Sequence, residues 1–113
     1  MQSTNESPFL VPPVGIREED DRVVIQAELP GVTRENLDLI VEEDDLTIRG
    51  VRPAADEKLR TVYSEHPAAE FRRRFVLGNI IDRGRIEASL KDGILEVVLY
   101  KTKEETPRRI EVS

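Results

Sequence analysis

The sequence has no cysteine and no tryptophan, and its one histidine is His66. Each absence closes a line of chemistry. Without Cys there is no disulfide framework, no thiolate nucleophile and no thiolate metal site, and a reducing compartment, the cytoplasm, is the expected setting. The lone imidazole stands directly before Pro67, in a stretch read as loop, so a serine nucleophile would have to recruit its base from an exposed position. Aromatic residues make up only 4% of the chain, too few to form a sugar platform beside paired carboxylates. The glycines are scattered and make no phosphate-cradling loop. No run approaches the ~18 apolar residues that a membrane helix needs. The N-terminal MQSTNESPF lacks a basic region followed by an apolar one, so no signal peptide is expected. Neither an enzyme nor a bound cofactor or metal is expected, and no membrane insertion.

Charge, by contrast, is plentiful: 35% of residues are charged and the net charge is −6. That balance argues against nucleic acid as a partner, which would call for a clustered basic surface. It suits a protein kept from self-association by repulsion. The acidic runs Glu18-Glu19-Asp20-Asp21 and Glu42-Glu43-Asp44-Asp45 lack the ligand spacing and central Gly of a calcium loop, and read as solvated turns.

Three regions divide the 113 residues, a length that fits one domain. Residues 1–13 form a short arm, polar and then apolar, punctuated by Pro8, Pro12 and Pro13. Residues 14–100 alternate apolar and polar almost throughout, and residues 101–113 are a charged tail carrying Ile110 and Val112. In the body, Val23, Ile25, Ala27 and Leu29 share a face and stop at the turn-forming Pro30-Gly31. Thr33 can cap a short turn through Asn36. Leu37, Leu39 and Val41 make a second strand, Leu46 and Ile48 a third, and Phe71, Phe75 and Leu77 another. Residues 52–60 read as loop, followed by the short β-capable Thr61-Val62-Tyr63. Ile86, Ala88 and Leu90 then run into Asp92-Gly93, a hairpin signal because both residues tolerate φ > 0. Six or more short strands without a helical stripe predict an antiparallel β-sandwich.

Two features are unusual for solvated surface. In a strand starting at Phe71, Arg73 shares parity with Phe71, Phe75 and Leu77, while Arg72 and Arg74 point the other way. A charge on the apolar face must be paired or lie at an interface, unless a bulge turns it outward. In the tail, Ile110 and Val112 flank Glu111 and face one way if extended, so they can dock as a pair into a groove. A last strand of the same sandwich, or a disordered end, fits the spacing equally.

These segments together resemble the α-crystallin domain of the small heat-shock proteins. The resemblance covers residues 14–113 and rests on Ala27-Glu28-Leu29-Pro30-Gly31-Val32, on Phe71-Arg72-Arg73-Arg74-Phe75-Val76-Leu77, on Ala88-Ser89-Leu90-Lys91-Asp92-Gly93-Ile94-Leu95 and on Ile110-Glu111-Val112. It departs at Gly78, where the family usually has Pro, and in the short arm. It implies an all-β, immunoglobulin-like antiparallel sandwich and an ATP-independent chaperone that holds unfolding proteins in solution. In the prokaryotic and plant branch a loop strand swaps between subunits, so the resemblance implies that Thr61, Val62 and Tyr63 pair with Val14-Gly15-Ile16 of a second copy. It further implies an assembly role for Arg73, a tail groove formed by Leu39, Val41, Ile86 and Ala88, and client contacts through Phe9, Leu10 and Val11. The implied partners are the chain itself, as a homodimer or a larger oligomer, and unfolded clients. The p23/CS-like co-chaperones, adaptors that use the same sandwich, are the alternative; they generally lack the swapped loop and the Ile-x-Val tail.

Overall fold

The computed structural model describes residues 9–54, 68–103 and 110–112. Within them the alternation becomes seven strands: β1 (Val14–Glu18), β2 (Arg22–Glu28), β3 (Leu37–Glu42), β4 (Asp45–Arg52), β5 (Ala69–Val76), β6 (Ile81–Lys91) and β7 (Ile94–Lys101). They form two antiparallel sheets, one in the order β1-β2-β7-β6 and the other β3-β4-β5. The all-β sandwich expected from the sequence is what the chain adopts. Thr61, Val62 and Tyr63 lie outside the described residues.

The turns follow their residue chemistry. Asp92 and Gly93 have φ of 53° and 78°, so both central positions of the β6–β7 hairpin are left-handed, as a primed turn requires. At Pro30-Gly31 the Val32 N–H donates to Leu29 O at 3.1 Å, with Gly31 at φ 83° in the position where only glycine is unstrained. Thr33 caps the short 3-10 turn, Arg34–Asn36, through its carbonyl, which accepts from Asn36 N–H at 2.9 Å; its hydroxyl takes the Asn36 amide instead of a backbone donor.

Facing residues of the two sheets make the core. Ala27, Leu29, Leu46, Ile48, Leu95, Val97 and Leu99 are at most 1% exposed, and Phe71, Leu77 and Ile81 join them. Val24 is buried as well, although it lies on the opposite face of β2 from Ile25. The ladder explains this: Val24 stands between Arg17 of β1 and Val98 of β7.

A polar clip ties the sheets at one end. The Arg83 guanidinium donates to Asp44 Oδ1 at 2.9 Å, to Glu43 O at 3.1 Å, and to Ile81 O and Gly78 O at 3.0 and 3.2 Å. One planar fork thereby satisfies carbonyls of the β3–β4 turn and of the β5–β6 connection together.

Candidate functional site

A two-layer sandwich leaves two flanks where the sheet edges face one another, and here both are partly open. On the first, the edge of β3 faces the edge of β6. A groove of about 450 Å³ lies between them, with Leu37 on one wall and Ala88 and Leu90 on the other. Of the expected groove residues, Ala88 lines it; Leu39 and Ile86 are half-buried against the core, and Val41 is 40% exposed at the far end of β3. Sequence reasoning left out Leu37 and Leu90. The signal was present, since each belongs to the same period-two run as the residues that were chosen.

The second flank lies between β1 and β5. Ile16 pairs with Ile25, whose side chain is in the core, so Ile16 faces inward; yet it is 58% exposed because nothing among the described residues covers the opening. Val14 is half-buried on the same strand. One end of this flank is closed by residues 10–13. Leu10 bridges β5 in parallel: its N–H donates to Glu70 O at 2.7 Å and its carbonyl accepts from Arg72 N–H at 2.9 Å. Pro12 is fully buried, and Pro13 O accepts from Glu28 N–H at 3.1 Å, so the segment crosses from one sheet to the other. Phe9, Leu10 and Val11 still expose 43%, 50% and 62% of their surface.

The β4–β5 register runs without a shift from Asp45↔Val76 to Arg52↔Ala69. No bulge turns Arg73 outward, therefore: it stands opposite Ile48, on the inward face, as its parity indicates. It is half-buried rather than buried, because β5 is an edge strand and the long stem carries the guanidinium out along the edge. There it lies 4.9 Å from the centroid of the Phe75 ring, with no carboxylate in ion-pair range among the described residues. Arg72 points the other way. Its guanidinium sits 4.4 Å from the Phe9 ring centroid and donates to Glu70 Oε2 at 2.8 Å, an oxygen shared with Arg49 at 2.8 Å.

These donors hold the Glu70 carboxyl below the ordinary range, the Arg72 hydrogen bond being the largest influence, against a smaller opposing effect of burial. A carboxyl whose pKa is lowered by folding stabilises the fold at pH above its unfolded value, and that contribution is lost as pH falls through the folded one. Glu70→Gln should thus weaken the protein at neutral pH and make its stability less sensitive to acidification below the ordinary Glu range. Urea unfolding from neutral to acid pH measures this; parallel curves for both proteins would mean that the pair contributes nothing.

In the tail, Ile110 and Val112 are 77% and 92% exposed and belong to no strand of this sandwich. Among the described residues no group of His, Cys, Asp or Glu is arranged to hold a metal ion, and no helix is long and apolar enough to cross a membrane.

The same geometry recurs in solved structures. A small heat-shock protein from Xylella fastidiosa, described as having a distinct high order structure, superposes with a TM-score of 0.75 at 32% identity, over 94% of this chain and 99% of that one. In sequence, the 18 kDa antigen 2 of Mycobacterium avium is 37% identical over 103 residues, which are 91% of this chain and 75% of the relative. The 18 kDa heat shock protein of Clostridium acetobutylicum is 38% identical over 92 residues, 78% of this chain and 60% of the relative. The model of the Hsp20/alpha crystallin family matches residues 15–113, nearly the whole sandwich and its tail, and the chain belongs to that family.

Proposed function

We propose that the protein is an ATP-independent holdase, a chaperone that binds unfolding proteins through apolar surface and keeps them from aggregating under stress. Membership of a family of small heat-shock proteins supports the chaperone role. The observation that carries the finer reading is the disposition of apolar surface. Phe9, Leu10, Val11, Ile16, Ile110 and Val112 stand exposed along the flanks and in the end segments of a chain with net charge −6. Exposed aliphatic and aromatic groups supply non-directional attraction for any unfolded chain, and the surrounding charge keeps the complex in solution.

In this reading the working unit is a homodimer in which residues 61–63 of one subunit add to the β1 edge of the other. A two-fold axis repeats the exchange and covers both exposed edges. Arg73, at the neighbouring edge, contacts the partner subunit there. Tails link dimers by seating Ile110 and Val112 in the β3/β6 groove of another subunit, and the setting is the cytoplasm. The chemistry requires no nucleotide. Heating a labile client with a molar excess of the protein, without ATP, should suppress the rise in light scattering. Scattering that rises as in the client alone, across several clients and temperatures, would overturn the holdase reading.

A further inference from the structure

The strap formed by Leu10 covers only half of the β5 edge, and the reason is covalent. Glu70 O and Arg72 N–H serve Leu10, whereas Leu77 N–H turns the other way, to Asp44 O. Even-numbered residues of β5 accordingly send their backbone groups outward, away from β4. The next bond of the parallel ladder would need an N–H from residue 12 to Arg72 O, and Pro12 has none. Pairing stops there. Arg72 O, both backbone groups of Arg74 and Val76 N–H are left on the open edge, with no backbone partner among the described residues.

Below this half-edge lies an apolar slot of about 240 Å³, lined by Ile16, Val23, Phe75, Leu77 and Ile80. A strand added along β5 would turn alternate side chains into that slot and the intervening ones to the outer face. On the outer face the residue beside it is Arg74, whose side chain is 68% exposed and whose nearest carboxylate, Asp45, is 3.9 Å away. Arg73, with no carboxylate in ion-pair range among the described residues, adds positive charge at the rim. Edge, slot and rim thus specify one chemistry.

We infer that the free half of the β5 edge is a docking site for extended segments of unfolding proteins in which aliphatic residues alternate with acidic ones. The inference rests on the holdase reading for the source of the segment, but the site can be tested without it. The partner strand at β1 lies on the opposite rim of the same flank, so the two can be occupied side by side.

The experiment uses the full chain and two short blocked peptides, one alternating Val and Glu, the other Val and Lys. Amide hydrogen exchange followed by NMR should show new protection of Arg74 and Val76 on addition of the Val–Glu peptide, with the Val–Lys peptide binding about tenfold more weakly. Arg74→Glu changes no backbone donor and should reverse the preference between the peptides. Arg74→Pro removes an outward N–H from an edge strand and should abolish the protection of Val76. The site is refuted if protection falls instead on Leu37, Ala88 and Leu90, if the two peptides bind alike, or if neither binds. A protein that protects Arg74 and Val76 yet fails to suppress aggregation keeps the site and loses the holdase reading; suppression without this protection does the reverse.

Discussion

Deleting residues 57–66 is expected to convert the protein from a dimer to a folded monomer. The fold should survive because, among the described residues, the hydrophobic core is built from strands and turns before residue 54 and after residue 70. The described strand ladders, the Arg83 clip and the Leu10 strap are made between residues that the deletion leaves in place. The dimer should not survive, because in the proposed exchange this stretch supplies the strand that pairs with β1. That edge offers only the five residues Val14–Glu18, and Ile16 faces an opening that none of the described residues covers. Without a donor strand the edge is left to water, and the proposed Arg73 contact alone is far smaller than a stable dimer interface needs. Sedimentation analysis gives the mass, and circular dichroism with urea unfolding gives the fold. A deletion variant that remains dimeric would place the dimer interface elsewhere, the open β5 edge being the first place to look.

How far the sequence spoke depended on whether an interaction is local. The β6–β7 hairpin was legible because Asp92-Gly93 carries its own turn geometry, and the Leu29–Val32 turn because Pro30-Gly31 does the same. Strand faces were legible wherever burial is one-sided: Ala27, Leu29, Leu46, Ile48 and Leu95 all lie where period two puts them. Val24 was missed because a central strand can bury its outer face under the neighbours' side chains, and alternation carries no sign of that. Arg83 was invisible for a related reason. In Asp82-Arg83-Gly84-Arg85 it looks like one more solvated charge, and its acceptors Glu43, Asp44 and Gly78 come together only when the sheets stack. The parity of Arg73 was read correctly, but how far it is buried depends on β5 being an edge strand, and topology decides that. The strap was unreadable too. Leu10 lies just before Pro12 and Pro13 and shows no alternation, yet it pairs with Phe71, far along the chain. Of the four residues named for a groove, Ala88 alone lines the cavity between β3 and β6, and Leu37 and Leu90, each one step along the same period-two runs, were not named.

Replacing both Ile110 and Val112 with Ser is expected to lower the mass of the assembly to that of the dimer while leaving the sandwich intact. The geometry of the tail motivates this. Both side chains are almost fully exposed in the single chain, Glu111 separates them, and in an extended segment they project to one side. Pro107 disfavours helix and keeps an extended approach open. The β3/β6 groove, with Leu37 facing Ala88 and Leu90, offers apolar walls for such a pair. Each aliphatic could contribute roughly 1.5–3 kcal/mol when fully buried, before the entropy of ordering the tail is subtracted. A single tail is therefore a weak and reversible link, and many links are needed to hold an assembly together. Reversibility serves the proposed work, since a tail that leaves its groove uncovers apolar surface for a client. Serine removes most of that gain and touches no core contact, so the unfolding midpoint of the isolated dimer should stay where it was. Two results would refute the link: a mass unchanged by the double substitution, which would put the inter-dimer contacts elsewhere, and a loss of fold, which would make the tail part of the sandwich.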